Sequence, residues 1–73
     1  MMTYRDAYRK ASQLLREKAT PDPDFSARYL LAHVTKNELN TLPLLWDRVL
    51  SFSQTKCFFR LVTKRAKGIP LAY

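Results

Sequence analysis

The sequence predicts an all-α fold, a small bundle of about four to five helices followed by an extended C-terminal tail. Three stretches repeat apolar residues at the three- and four-residue spacing of a one-sided helix, and each follows a residue that commonly caps a helix. No stretch alternates apolar and polar residues for long enough to form a half-buried strand. Short connections between the helical stretches are typical of a bundle.

The length and composition indicate one folded domain. A chain of 73 residues buries only about 60% of the surface exposed in its unfolded form, which suffices for one small core. The hydrophobic fraction of 47% is that of a folded chain. Cys57 is the single cysteine, and no cysteine and histidine cluster has the spacing of a metal site. A single cysteine fits a reducing, cytoplasmic compartment, and the longest apolar runs are too short to cross a bilayer. We therefore expect a cytoplasmic protein that binds no metal and no membrane.

The first helix is predicted to begin at Tyr4. Thr3 can cap it, and Asp6 at the third helical position suits the positive end of the helix dipole. The opposite side carries Arg5, Arg9 and Arg16. The apolar stripe consists of Tyr4, Ala7, Tyr8, Ala11, Leu14 and Leu15.

The second helix follows a break at residues 19–23, where two prolines disfavour helical angles. Asp22 is predicted to cap it and Pro23 to occupy its first position. Residues 36–51 are predicted to form one or two short helical pieces, in which Asn37 can cap a short helix through Leu42 and Pro43 interrupts. The buried stripe of the second helix consists of Ala27, Leu30, Leu31 and Val34.

The last helix is predicted to open at Ser51 and to run to Lys67, because Ser51 and Gln54 have the spacing of a capping box. Gly68 can then end it in a left-handed conformation, and Ile69 to Tyr73 should be extended because Pro70 disfavours a helical neighbour. Its apolar side consists of Thr55, Phe58, Phe59, Val62 and Ala66. Its other side, here called the basic face, consists of Lys56, Arg60, Lys64 and Lys67.

The net charge of +7 favours anionic partners, but RNA, DNA, anionic lipid and an acidic protein would all satisfy it. The basic face is either a docking surface or a solvated helix face. Arg65 lies at the edge of the apolar side, where it can contact a partner, reach a carboxylate or carbonyl, or complement the helix dipole.

The remaining candidates for chemistry have structural interpretations. His33 has no nearby serine, cysteine or carboxylate constellation, so we expect a packed or hydrogen-bonded histidine. Cys57 is expected to be a half-buried thiol. The aromatic residues follow helical spacing, which favours core packing over a stacking platform for bases. They are Tyr4, Tyr8, Trp46, Phe58 and Phe59.

Two segments, Lys64 to Tyr73 and Ala27 to Val34, resemble parts of the N-terminal domain of the HemK/PrmC-type glutamine methyltransferases. Lys64 to Tyr73, read as KRAKGIPLAY, is similar to the family's ending of two basic residues, a glycine, a proline and a tyrosine. Ala27 to Val34 resembles its alanine, double-leucine and histidine pattern. The chain departs from the family at Ser26, where an aspartate is usual, and at Lys64, which replaces an arginine.

The resemblance implies that residues 1–67 are a substrate-recognition domain and that residues 68–73 begin a linker. It also implies that a catalytic domain, which binds S-adenosylmethionine, is expected after Tyr73. The implied partners are a peptide chain release factor and that catalytic domain. We expect no catalytic, cofactor-binding or metal-binding residue in this chain, which should be a monomer. The alternative hypothesis is a small basic nucleic-acid-binding module. The partner-binding candidates are Lys56, Arg60, Lys64, Arg65 and Lys67, and the domain-junction candidates are Gly68, Pro70 and Tyr73.

Overall fold

A computed structural model describes residues 1–70, which contain three α-helices and one 3-10 helix. The helices are α1 (Tyr4–Glu17), α2 (Pro23–Thr35), the 3-10 helix (Leu39–Leu45) and α3 (Phe52–Ala66). Those residues contain no strand beyond an isolated antiparallel bridge between Thr3 and Val49. The predicted all-α class is therefore confirmed. Of the predicted tail, residues 71–73 lie outside the described part.

The core lies where α1, α2 and α3 meet, since each α-helix packs against the other two. The fully buried Ala7 and Ala11 leave α1 room to approach its neighbours closely. Leu42 of the 3-10 helix closes the core from the side of α2. The predicted apolar stripes of the three α-helices are therefore the sides that pack. The largest fully buried apolar side chains are Leu15, Leu30, Leu31, Leu42, Phe58 and Val62.

The first turn of α1 is tied to the segment that precedes α3. The backbone amide of Tyr4 donates to the carbonyl of Arg48 at 2.8 Å, and that of Arg5 donates to the carbonyl of Trp46 at 3.0 Å. The Oγ1 atom of Thr3 accepts from the amide of Asp6 at 3.1 Å, as predicted. These bonds satisfy amides that a helix leaves unpaired at its start, and they hold the entrance to α3 against α1.

The capping box of α3 is present as predicted. The amide of Gln54 donates to Oγ of Ser51 at 3.0 Å, while the amide of Ser51 donates to Oε1 of Gln54 at 2.9 Å. Each residue thus satisfies a backbone donor of the other. Gly68 then follows the end of α3 with φ of 94°, in the predicted left-handed conformation.

All three α-helices end in the same backbone motif, with a left-handed residue just beyond the helix. After α1 this residue is Ala19 (φ 57°), and after α2 it is Lys36 (φ 58°). In α1 the amide of Ala19 donates to Arg16 and that of Thr20 to Leu15, the paired bonds of a Schellman motif. The sequence signalled this ending only for Gly68, because glycine alone adopts a left-handed backbone without steric cost.

Two predicted local features are wrong. Asp22 occupies the N-cap of α2 but has a left-handed backbone (φ 48°), and its side chain makes no capping bond because capping requires an extended cap residue. Pro43 lies inside the 3-10 helix, whose cap is Glu38, because the fixed φ of proline is compatible with 3-10 geometry. Asn37 instead donates from Nδ2 to Oγ1 of Thr35 at 3.0 Å.

Replacing Ser51 by alanine should lower the free energy of unfolding by about 1 kcal/mol, because the amide of Gln54 loses its acceptor. Urea unfolding followed by the helical circular dichroism signal measures the change. Ser53 lies in the same turn and is exposed, so Ser53→Ala is the matched control and should stay within about 0.5 kcal/mol of the wild type. Equal losses in the two variants would contradict the capping role.

Replacing Ala19 by glycine should raise the free energy of unfolding by about 0.5 kcal/mol. The left-handed backbone costs an alanine about 1 kcal/mol, and the greater freedom of glycine in the unfolded chain offsets part of the gain. The matched control is Ala66→Gly in the last turn of α3, which should be destabilising by about 1 kcal/mol. Thermal unfolding of both variants distinguishes the two backbone environments. A loss of stability in both variants would exclude a left-handed Ala19.

Candidate partner-binding surface

The basic face of α3 is exposed along its whole length. The apolar side of the helix turns Phe58 and Val62 inward, and rotation by 100° per residue then places the basic face in solvent. The two ion pairs within residues 1–70 join Arg5 to Asp47 at 2.6 Å and Arg16 to Asp24 at 2.8 Å. None of the four basic-face residues takes part in either pair.

Positive charge is concentrated in the last third of the chain. Residues 48–73 carry six cationic side chains and no carboxylate side chain, so they contribute six of the seven net positive charges. The six carboxylates all lie in residues 1–47, which also carry seven cationic residues. The surface built by α3 is therefore the part of the molecule that attracts anionic partners most strongly.

A cleft opens at the end of the bundle, where the turn after α1 meets the end of α3; we call it the terminal cleft. It has a volume of about 200 Å³ and brings Lys18 together with Arg65 and Lys67. A groove of about 470 Å³ continues from it over Leu14 and Ala66. Lys18 was missed at the sequence level, because only the packing of α1 on α3 places it beside the predicted candidates.

Thr20 adds a polar group to the wall of the terminal cleft. Its side chain is buried, with 8% of the residue exposed, and its Oγ1 atom has no hydrogen-bond partner within residues 1–70. A buried hydroxyl without a partner is uncommon in folded proteins. The cleft is thus lined by three cationic side chains and by a residue whose buried hydroxyl has unused hydrogen-bonding capacity.

Arg65 bridges the end of α3, α2 and the chain that leaves the bundle. Its Nε lies 3.5 Å from Oγ of Ser26, and its Nη1 lies 3.4 Å from the carbonyl oxygen of Ile69. Both contacts are long for hydrogen bonds. The predicted reach to a carbonyl is observed. The interpretation of Arg65 as a structural residue is therefore supported, while its contact with a partner stays a prediction.

Gly68 and Pro70 lie at the point where the chain leaves the bundle. The amide of Gly68 donates to Arg65 at 2.9 Å and that of Ile69 donates to Lys64 at 3.2 Å, which turns the chain back over the last turn of α3. Both junction candidates are exposed. The third junction candidate, Tyr73, lies outside the described residues.

The other sequence candidates lie away from the terminal cleft. His33 is exposed and lines a recess of about 350 Å³ on the outer side of α2, with the aromatic residues Phe25 and Tyr29. In residues 1–70 no three His, Cys, Asp or Glu side chains come together as a metal site would require. Cys57 is exposed rather than half-buried, because its position on the helix lies next to the basic face and not on the apolar side.

The aromatic residues predicted for the core are either buried in it or half-buried against it. Tyr4 and Phe58 are buried, and Phe58 meets Phe59 edge to face with ring centroids 5.0 Å apart. Tyr8 stacks on Trp46 at 5.2 Å. Phe52 was not singled out by its sequence position, yet it is 80% exposed at the start of α3.

Comparison with protein families gives a match to the PrmC N-terminal domain over residues 6–73. The chain belongs to this family. The match covers all three α-helices, the terminal cleft and the chain exit. A comparison with curated proteins and one with solved structures returned no significant match. Among the helices described here, none is long and apolar enough to span a membrane.

Family membership gives Ser26 a particular interest, because the resemblance places an aspartate there. The side chain of Ser26 is buried and lies next to the guanidinium of Arg65. A serine hydroxyl is a neutral acceptor, whereas a carboxylate would form a charge-assisted bond that is roughly twice as strong. The contact of Ser26 with Arg65, which joins α2 to the end of α3, is therefore weaker than the contact that an aspartate would make with this arginine.

A double-mutant cycle on Ser26→Asp and Arg65→Gln should show a favourable coupling of about 1 to 2 kcal/mol, because the new carboxylate gains a cationic partner only where Arg65 remains. Urea unfolding of the wild type, both single variants and the double variant measures it. A coupling near zero would show that the two side chains do not approach each other in solution.

Proposed function

We propose that this chain is the substrate-recognition domain of a PrmC-type methyltransferase and that its partner is a peptide chain release factor. The observation that carries the proposal is the family match over residues 6–73. In such an enzyme the methyl transfer belongs to a separate catalytic domain. The role assigned to this chain is to bind the release factor and to orient it toward that domain.

The terminal cleft supports this role through its position and its charge. It lies where α3 ends and the chain leaves the bundle, so a protein bound there would also lie close to whatever is attached at the chain exit. Lys18, Arg65 and Lys67 supply positive charge, and the adjoining groove supplies the apolar surface of Leu14 and Ala66. Cationic and apolar groups around a concave surface are suited to an acidic segment with an apolar side chain.

The cofactor of the proposed enzyme, S-adenosylmethionine, is assigned to the catalytic domain rather than to this chain. The usual cradle for the nucleotide part of such a cofactor is a glycine-rich turn between a strand and a helix. Gly68 is the single glycine of the sequence, and it ends α3. The side chains of residues 1–70 therefore do not fit the cofactor, and we derive no chemical step from them.

Binding and orientation alone can contribute substantially to catalysis. Holding two reactants in the correct geometry can supply about 7 to 11 kcal/mol of a reaction barrier in favourable cases. A recognition domain supplies part of this by fixing the substrate before the reaction begins. Its variants should therefore weaken release factor binding without changing the chemistry of the bound complex.

The proposal predicts that reversing the two lysines of the terminal cleft, Lys18→Glu with Lys67→Glu, lowers the affinity of the chain for a release factor about tenfold, since two favourable charge contacts become repulsive. Calorimetric titration measures the affinity. The matched control is Arg9→Glu with Lys10→Glu, two exposed cationic residues of α1, which should change the affinity less than threefold, or by under about 0.7 kcal/mol.

Two outcomes would overturn the proposal. If the chain binds no release factor, or if both double variants weaken binding equally, the terminal cleft is not a recognition site. If the chain alone transfers a radiolabelled methyl group to the release factor, the division between recognition and chemistry is wrong. Circular dichroism of every variant establishes that the helices are intact before the affinities are compared.

A further inference from the structure

The outer side of α3 begins with an aromatic side chain that packs on nothing in the core. Phe52 is 80% exposed, and Nζ of Lys56 lies 5.7 Å from the centroid of its ring. Beside the ring is an apolar recess of about 370 Å³, which is also lined by Met1, Met2 and Leu50. A ring next to an apolar recess can receive a flat heteroaromatic group and stack on it.

The basic face continues from this ring in a single row. Phe52, Lys56, Arg60 and Lys64 follow one another at intervals of four residues, and each interval advances about 6 Å along the helix axis. From Lys56 to Lys64 the row is about 12 Å long. An extended polyanion with regularly spaced charges can therefore contact several of these cations at once, beginning beside the ring.

The surroundings of the row favour nucleic acid over a smaller anion. No carboxylate occurs in residues 48–70 to repel phosphates or to neutralise the cations. Thr63 is exposed, and its helical position falls within the row. Its hydroxyl donates to the carbonyl of Phe59 at 2.8 Å, which leaves its oxygen able to accept a hydrogen bond from the 2′-hydroxyl of a ribose.

We propose that this side of α3 binds single-stranded RNA. A base stacks on Phe52 at the edge of the recess, and the phosphates that follow it along the strand contact Lys56, Arg60 and Lys64. A single strand is required, because a base within a duplex does not expose its face to the ring. An acidic peptide with an apolar side chain would also match the cations and the recess, but the exposed ring face and the acceptor oxygen of Thr63 favour a ribonucleotide chain over it. The inference is independent of the release factor.

Fluorescence anisotropy of a labelled oligouridylate of about 12 nucleotides, titrated with the 73-residue chain, tests the proposal. With three to four phosphates neutralised, the affinity should fall about 20- to 50-fold between 50 and 200 mM salt.

Arg60→Glu with Lys64→Glu should weaken binding about tenfold or more, whereas the matched control Arg9→Glu with Lys10→Glu should have an effect below threefold, about 0.7 kcal/mol. Phe52→Ala should weaken it about tenfold while leaving the salt dependence unchanged.

The exposed thiol of Cys57 gives a local readout, because it follows Lys56 in α3 and is the single cysteine. Bound RNA should slow its reaction with a thiol reagent in the wild type and not in the Arg60→Glu, Lys64→Glu variant.

Four results would overturn the proposal: no binding at low salt, equal losses in the two double variants, no effect of Phe52→Ala, or tighter binding of a duplex or an acidic peptide than of the single strand.

Discussion

The burial of Phe58 and Val62 is the constraint on which the rest of the molecule depends, because it fixes the rotation of α3 about its own axis. With these two side chains fully buried against α1 and α2, the cationic positions of the helix must point into solvent. The same packing brings the end of α3 beside Lys18 and thereby forms the terminal cleft. Both proposed binding surfaces are thus consequences of how one helix is seated in the core.

The charge of α3 is not balanced within the helix itself. Lys56, Arg60 and Lys64 are like charges at four-residue spacing, an arrangement that destabilises a helix by a few tenths of a kcal/mol for each pair. The capping box at Ser51 and the buried aromatic side offset this repulsion. Elsewhere the molecule places carboxylates opposite its arginines, as in the pair of Arg16 and Asp24. The unbalanced row is therefore a local property of α3, and bound anions would relieve it.

Features set by neighbouring residues could be predicted from the sequence. The caps at Thr3 and Ser51, the left-handed Gly68 and the apolar stripes each depend on spacing within one helix, and each is observed. Features set by distant contacts could not. The position of Lys18 in the terminal cleft arises from helices that meet in space. The exposure of the basic face could be predicted, because it follows from the amphipathic pattern of α3. The recess beside Phe52 could not be predicted, because Met1, Met2 and Leu50, which lie outside that helix, also line it.

The turn at Gly68 has a mechanical consequence for anything attached beyond it. Bonds from the amides of Gly68 and Ile69 fold the chain back on α3, Arg65 reaches the carbonyl oxygen of Ile69, and the ring of Pro70 fixes its own φ angle. Few backbone dihedrals of residues 67–70 are therefore free to rotate. Up to Pro70 the chain is therefore stiff, and it leaves the bundle in a direction set by the last turn of α3.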